Sequence, residues 1–275
     1  MEIFYHNFYK QNKLQKSMTF WYNQNMIGIY DLGDFLDYKT RLQIYKNAGF
    51  QEVALYIDKN YVQQTEDYCD IISYARKIGL KVNQAHIDYK ISNMICDESS
   101  SAYFDYVEEK LKECEKLGIK YMVLHSSKGE NPPVLTQVQL LKLEKIAQKH
   151  KGIFLCFENF RDNKNLAMVL TSKEPNIKMC FDLGHAHAYA NEYLLFDKYK
   201  DKIVCSHIHN NFGQDSHFSL DKGEIDCNYF LKNLNKISYS NCLECFPNRG
   251  EEINEEKFVL FVKHCFKNIE KYNKD

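Results

Sequence analysis

Three short apolar runs lie in the middle of the chain: IFLCFENF (153–160), IKMCFDLG (177–184) and IVCSHIHN (203–210). Each has the length and the β-branched or aromatic content of a strand, and carries near its end a residue type that binds metals or moves protons. The intervals between the runs are long enough for a helix, which parallel strands need as a crossover. This segment therefore predicts consecutive strand–helix units.

The same pattern extends in both directions along the chain. The further strand-like runs are MIGIYDL (26–32), EVALYI (52–57), KVNQAHI (81–87), KYMVLHS (120–126) and NCLECF (241–246). Amphipathic stretches such as 100–118 and 256–272 have apolar residues at helical spacing. Thr136 and Gln139 form a predicted capping box before another helix, and Gly79 and Gly118 stand where helices should end.

Eight strand–helix units in a chain of this length predict an α/β protein built as a single (β/α)8 TIM barrel. A doubly wound open sheet is the alternative, but no GxGxxG or GxxxxGK follows any predicted strand. Since no Ser/Gly/Pro-rich linker interrupts the chain, we predict one domain over residues 1–275. Residues 1–25 fit no unit, and we expect them to form an irregular N-terminal segment.

Composition restricts the class of protein. The 275 residues carry a net charge of −1, which argues against nucleic acid as a partner. No apolar run is long enough to span a membrane, and the first residues have no signal-peptide core. The ten cysteines form no disulfide framework, so we expect buried free thiols and a cytoplasmic protein. The sequence leaves a homo-oligomer open.

Metal-type residues recur at the carboxyl ends of the predicted strands. They are His86, His125, Glu158, Asp182, His207 and Glu244. His185 follows Asp182 as D-x-x-H, and Asp215 and His217 form D-S-H after the seventh strand. In a parallel barrel these ends open on one face, where active sites form. The sequence therefore predicts that all these side chains meet at one mouth.

Such a cluster needs bound cations, because burying several carboxylates together is costly without a counter-charge. Nitrogen and oxygen ligands suit Zn²⁺, Mn²⁺ or Fe²⁺, and one to three ions are accommodated if Glu158 bridges two of them. We assign structural roles to the other histidines, His6, His150, His187, His209 and His264. His209 alternates with His207 along the strand, so only one of the two is expected to face the barrel axis.

Four motifs resemble the xylose isomerase-like TIM barrel superfamily, which contains sugar and sugar-phosphate isomerases and epimerases and the endonuclease IV-type apurinic endonucleases. They are ENF (158–160), FDLGHAHAY (181–189), SHIHNNFGQDSHFSLDKGEID (206–226) and LECF (243–246). The resemblance implies a metal quartet of Glu158, Asp182, His207 and Glu244, in which the two glutamates also transfer protons. It implies that His185 contacts substrate. For the endonuclease branch it implies additional metal ligands at His86, His125, His185, Asp215 and His217.

Local departures favour the isomerase branch. The chain has ENFRDNK where the endonuclease pattern has an ENTAGQG-like run, and DLGH (182–185) where that pattern has DTCH. In addition, Asp221 replaces the first glycine of a G-x-G before Gly223. The resemblance therefore implies an enzyme of carbohydrate metabolism, with a multi-zinc phosphodiesterase of the endonuclease IV type as the alternative.

The reaction expected from this resemblance is isomerisation or epimerisation of a sugar or sugar phosphate. Glu158 and Glu244 would remove and return a proton through an enediolate that a divalent metal stabilises. Arg161 and Arg249 follow the fifth and eighth strands, and we predict that they bind a phosphate or carboxylate of the substrate.

Overall fold

Eight short strands form a closed parallel barrel in chain order. They are β1 (Ile27–Tyr30), β2 (Val53–Tyr56), β3 (Gln84–His86), β4 (Tyr121–His125), β5 (Phe154–Glu158), β6 (Ile177–Asp182), β7 (Ile203–Ile208) and β8 (Ser240–Leu243). Both faces of these strands are covered, which is why the sequence shows continuous apolar runs rather than strict alternation. β1 pairs with β8, Ile27 lying opposite Asn241, so the predicted barrel is confirmed and the open sheet is excluded.

The structure is a computed structural model that describes residues 27–31, 36–58, 66–97, 101–161, 163–247 and 252–273. The irregular segment predicted for residues 1–25 lies outside these ranges, and so does Arg249. Within the described ranges, no helix is long and apolar enough to cross a lipid bilayer.

Helices follow the strands and form the outer layer. They are α1 (Tyr38–Ala48), α2 (Tyr68–Lys77), α3 (Ala102–Leu117), α4 (Gln137–Lys149), α5 (Lys164–Val169), α6 (Leu183–Tyr189), α7 (Glu192–Tyr199), α8 (Cys227–Ile237) and α9 (Glu255–Asn273), with a 3-10 helix over Tyr89–Cys96. The predicted capping box of Thr136 and Gln139 is present at α4. Gly118 ends α3 with a φ of 65°, a left-handed conformation that glycine adopts without strain.

Side chains that point into the barrel form layers beneath its mouth. Cys156, Cys180 and Cys205 lie on neighbouring strands β5, β6 and β7 and pack together with Tyr121 and Val123. All ten cysteines are free and eight of them are buried, which confirms the predicted free thiols. These small side chains fill the barrel interior directly below the polar strand ends.

An irregularity between β6 and β7 sets the register at the mouth. Met179 pairs with Ile203, but Cys180 pairs with Cys205, so β7 contains one extra residue at this point. A bulge of this kind shifts every later residue of the strand by one position. As a result Asp182 lies directly opposite His207, where both can contribute to one site.

A buried ion pair ties α1 to the end of β1. The Arg41 guanidinium is fully buried, with its Nε 2.9 Å from Asp31 Oδ1 and its Nη2 3.0 Å from Asp31 Oδ2. Nη2 also lies 2.8 Å from Glu66 Oε2, just before α2. Burial lowers the pKa of Arg41, but the neighbouring Asp31 raises it more, and the guanidinium stays charged.

We expect Arg41→Met to lower the free energy of unfolding by about 3–5 kcal/mol, because Asp31 would remain buried without its cation. Urea unfolding followed by circular dichroism measures the change. The matched control is Arg76→Met, whose guanidinium contacts the Leu117 carbonyl at the surface and should cost less than about 1 kcal/mol. Equal losses in the two variants would contradict the role of the buried pair.

Candidate metal centre

The carboxyl ends of the strands converge at one mouth, as the positional pattern predicts. His86, His125, Glu158, Asp182 and His207 belong to strands β3 to β7. All nine predicted ligands fall into groups whose ligand atoms lie within 4.8 Å of one another. These groups are Glu158, Asp182, His207 and Glu244; His86, His125 and Glu158; and His185, Asp215 and His217 together with His209.

The first group, Glu158, Asp182, His207 and Glu244, is deeply buried. Nδ1 of His207 lies 3.1 Å from Glu158 Oε1, 3.1 Å from Glu244 Oε2 and 3.9 Å from Asp182 Oδ2. Asp182 Oδ2 and Glu244 Oε2 are buried and accept no hydrogen bond. Ligand atoms around a tetrahedral Zn²⁺ with bonds of about 2.1 Å are separated by about 3.4 Å. The spacing, the donor types and the two unpartnered oxygens therefore fit a divalent ion.

The second group uses the other oxygen of Glu158. His86 Nε2 and His125 Nε2 each lie 3.0 Å from Glu158 Oε2. Glu158 Oε1 faces His207, so the two oxygens of one carboxylate point into two different groups. This is the arrangement that a bridging glutamate requires.

The third group contains a histidine that the sequence argument set aside. His209 Nε2 lies 3.3 Å from Asp182 Oδ1, and its ring stacks on His217 with centroids 3.9 Å apart. The expectation that only one of His207 and His209 faces the barrel axis is wrong. Side chains alternate with a period of two, so residues two apart share a face. In IVCSHIHN (203–210), His209 is two positions after His207, so the sequence itself places both side chains on the same face.

In the first group, the negative carboxylates and the positive imidazole of His207 stabilise one another's charged forms. Burial raises the pKa of Glu158, but the imidazoles of His207 and His125 outweigh it, and the pKa lies well below its ordinary value. Burial of Glu244 is likewise outweighed by His207, which lowers its pKa to about 2. Burial lowers the pKa of His207, whereas Glu158 and Glu244 raise it well above its ordinary value. A cation that binds here must therefore displace protons from imidazole.

A chain of polar side chains runs from His207 through the barrel interior. The amide group of Gln84 lies 2.5 Å from His207 Nε2 and 3.2 Å from the Ser240 hydroxyl. The Ser240 hydroxyl donates to Glu52, a buried carboxylate that also accepts from Asn83 at 2.9 Å. The structure places Gln84 Nε2 beside His207 Nε2 and Gln84 Oε1 beside the Ser240 hydroxyl. Because the single Ser240 proton goes to Glu52, we assign the reverse amide orientation, in which the Gln84 NH₂ donates to the Ser240 oxygen and the amide oxygen accepts from His207 Nε2–H. This orientation leaves His207 Nδ1 free for an ion.

The remaining predicted residues lie at the periphery. Arg161 Nη1 is 3.2 Å from Glu130 Oε1, and its guanidinium stacks 4.9 Å from the centre of the Tyr189 ring. His187, His150 and His264 each lie within about 3.1 Å of a carboxylate outside the three groups, those of Glu192, Glu115 and Asp221 respectively. Their placement agrees with the structural roles assigned to them.

A cavity of about 270 Å³ opens over the clustered side chains. Its walls include four aromatic residues, Tyr56, Tyr89, Phe160 and Phe246. Its polar lining is formed by His86, His125, Glu158, His185, Asp215, His217 and Glu244. The two buried glutamates of the first group therefore line the same open-mouthed cavity.

Comparison with known proteins gives a consistent picture. Residues 42–259 match the family described as xylose isomerase-like TIM barrel. An uncharacterized protein of Methanocaldococcus jannaschii is 29% identical over 213 residues, covering 70% of this chain and 84% of that protein. A probable endonuclease 4 of Mesoplasma florum is 25% identical over 248 residues, covering 76% of this chain and 81% of that protein.

Among solved structures, D-psicose 3-epimerase from Clostridium cellulolyticum H10, determined with D-tagatose, superimposes with a TM-score of 0.68. It shares 13% sequence identity, and the match covers 90% of this chain and 99% of that chain. At this identity the likeness concerns the fold.

We expect Gln84→Leu to weaken Zn²⁺ binding by the purified protein by about 10–100-fold, because the hydrogen bond that orients His207 is removed. Calorimetric titration of the chelator-treated protein measures the affinity. Gln148→Leu is the control, since Gln148 pairs with Glu174 on the outer surface. An affinity within twofold of the wild-type value would show that Gln84 does not orient the ligand.

Proposed function

The chain belongs to the xylose isomerase-like TIM barrel family, and we propose that it is a divalent-metal-dependent isomerase or epimerase of a small sugar or sugar phosphate. The observation that supports this proposal best is the cavity, because Glu158 and Glu244 both line this one small, open-mouthed space. Its volume of about 270 Å³ is near the lower end of the about 300–1,000 Å³ usual for small-molecule clefts.

The lining of the cavity suits a carbohydrate. Tyr56, Tyr89, Phe160 and Phe246 offer apolar faces to the C–H groups of a sugar ring or chain. His185 lies at the same wall and is the candidate for a hydroxyl contact. Arg161 lies beyond Tyr189 at the periphery, where it would meet a phosphate or carboxylate that extends from the cavity. Arg249 lies outside the described ranges, and for it we propose the same role of binding a phosphate or carboxylate of the substrate.

The two glutamates suit proton transfer. They project from the ends of different strands, and each places one oxygen 3.1 Å from His207 Nδ1. Both are held ionised by the neighbouring imidazoles, so each can accept a proton at neutral pH. We assign one glutamate to remove the proton from the carbon beside the substrate carbonyl, which forms an enediolate. The other glutamate, after it has accepted a proton from solvent, donates that proton to the enediolate.

Glu158, Asp182, His207 and Glu244 would hold the metal ion, with Zn²⁺, Mn²⁺ and Fe²⁺ all suited to these ligands. When bound, such an ion supplies Lewis-acid stabilisation of the negative charge that develops on the substrate oxygens.

The experiment that tests this function is solvent deuterium incorporation. The Mn²⁺- or Zn²⁺-loaded protein is incubated in D₂O with a panel of ketoses and ketose phosphates, and proton NMR records exchange beside the carbonyl. Glu158→Gln and Glu244→Gln should each lower exchange by at least about 100-fold, since amides cannot accept the proton. Glu192→Gln, a carboxylate that pairs with His187 outside the cavity, should have no effect.

Two results would contradict the proposal. One is the absence of exchange in every sugar tested with the wild-type protein. The other is near-normal exchange in either glutamine variant, which would remove that glutamate from the reaction.

A second candidate function is metal-dependent phosphodiester hydrolysis. The specific observation in its favour is the second ligand group, in which His86 and His125 surround the other oxygen of Glu158. Such a group suits a second ion beside the first, and paired ions clamp the attacking and leaving oxygens of a phosphoester. The relative from Mesoplasma florum carries the name probable endonuclease 4.

His86→Ala separates the two candidates. In an isomerase that uses the first group, it should reduce deuterium exchange far less than Glu158→Gln does. In a hydrolase it should lower cleavage of bis(p-nitrophenyl) phosphate or of an abasic-site oligonucleotide by about 10–100-fold or more, because an ion would lose a ligand. His187→Ala is the control imidazole. Wild-type cleavage that depends on His86, without sugar exchange, would make the hydrolase the correct function.

A further inference from the structure

We propose that a second cavity binds a small organic anion that carries a flat apolar group. This cavity lies between the segment that follows β7, the segment that follows β8 and helix α9. The three ligand groups described above contribute no side chain to it. The proposal is therefore independent of which reaction the first group performs.

The second cavity is larger than the one over the ligand groups. Its volume is about 420 Å³, within the range of about 300–1,000 Å³ that is usual for small-molecule clefts. The two cavities share one lining residue, Phe246, whose ring centroid lies 4.6 Å from that of His217. The backbone N–H of Phe246 donates to the His217 carbonyl at 2.8 Å, which holds the shared wall in place. The second cavity is thus a neighbouring space with walls of its own.

Apolar side chains form most of these walls. Phe218, Phe246 and Phe261 supply three aromatic rings to the cavity. Leu260 lines the same space, with 61% of its surface exposed to solvent. A flat apolar group that entered here would cover this leucine and contact the rings, and burying apolar surface in this way is favourable.

Basic side chains of the same cavity determine the charge of its ligand. Lys257 Nζ donates to the Glu252 carbonyl at 3.1 Å, which is a neutral partner, and no described carboxylate forms an ion pair with it. Lys222 Nζ lies 4.0 Å from the centre of the Phe218 ring, so a cation and an apolar wall adjoin directly. Charge complementarity therefore favours an anion with an apolar body.

One acidic residue, Asp221, lies beside this cavity, but its carboxylate is engaged elsewhere. Its Oδ1 accepts hydrogen bonds from the Ser219 hydroxyl and the Asn268 amide, each at 2.8 Å. The imidazole Nε2 of His264 lies 3.0 Å from the same oxygen. These partners hold the negative charge of Asp221 in place, so it does not neutralise Lys257.

The chain segment next to the cavity is an unsuitable occupant. Residues 248–251, which lie outside the described ranges, stand between the lining residues Pro247 and Ile253. Their sequence is Asn-Arg-Gly-Glu, which contains no apolar side chain. The apolar walls and the volume of the cavity suit a small molecule from solution.

Fluorescence titration with 8-anilinonaphthalene-1-sulfonate tests the proposal, since this probe combines flat apolar rings with one negative charge. The wild-type protein should bind it saturably. Lys257→Glu and Leu260→Ser should each raise its Kd by at least about fivefold, because a cation or an apolar contact is lost. The controls are Lys263→Glu, an exposed lysine of α9 outside the cavity, and Leu194→Ser, a 71% exposed leucine of α7. Both should bind the probe as the wild-type protein does.

N-phenyl-1-naphthylamine, which has the same rings without the sulfonate, separates the contribution of charge. Lys257→Glu should leave the Kd of this neutral probe unchanged, whereas Leu260→Ser should raise it. Glu158→Gln should alter the binding of neither probe, since Glu158 lines the other cavity.

Three results of these titrations would overturn the proposal. The first is the absence of saturable binding of the sulfonate by the wild-type protein. The second is a wild-type Kd in both Lys257→Glu and Leu260→Ser. The third is loss of binding in Glu158→Gln, which would assign the probe to the first cavity.

A crystal of the wild-type protein soaked with the sulfonate gives an independent measurement. The naphthalene ring should lie against Phe218 or Phe261, with a sulfonate oxygen within about 3.2 Å of Lys257 Nζ or Lys222 Nζ. Density elsewhere, or binding at crystal concentration only, would overturn the proposal. Because no readout depends on turnover, failure here leaves the proposed reaction untouched, and failure of the deuterium experiment leaves this site untouched.

Discussion

The buried carboxylate of Glu158 imposes the main electrostatic constraint on this molecule. Its side chain is almost fully excluded from solvent. An isolated carboxylate buried in this way would take up a proton and become neutral. Imidazoles from other elements surround it instead, those of His86 and His125 on one oxygen and those of His207 and His185 on the other. The charge is retained because these partners are supplied from several strand ends at once.

Only a particular strand register supplies those partners. His125 lies directly opposite Glu158 across β4 and β5, and the extra residue in β7 brings His207 opposite Asp182. A shift by one residue would turn either side chain to the outer face of the barrel. The small thiol side chains beneath the mouth fill the interior without pushing the strands apart. Packing in the barrel and the geometry of the ligands are therefore linked.

The sequence predicts the barrel architecture and the clustering of the nine metal-type side chains at its mouth, because both follow from simple periodic rules. Strand-like runs alternate with helical ones, and Glu158 and His125 stand at strand ends in the sequence itself. Contacts that depend on three-dimensional closeness are not predictable in this way. Glu52 and Gln84 look like ordinary strand residues, and only barrel closure brings Ser240 between them. Glycine is needed at position 184 because the ring of His209, 25 positions later in the chain, fills the space that a Cβ would occupy.

The interior chain from His207 through Gln84 and Ser240 to Glu52 connects the two ends of the barrel. In TIM barrels the amino-terminal end is generally concerned with stability and the carboxyl-terminal end with activity. Glu52 lies just before β2, yet its carboxylate is linked to the His207 ring at the mouth through three consecutive hydrogen bonds, by way of Ser240 and Gln84. This division of labour between the ends is therefore incomplete here. Replacing the loops at the mouth would therefore preserve the geometry around His207 only if Glu52, at the amino-terminal end of the barrel, were retained.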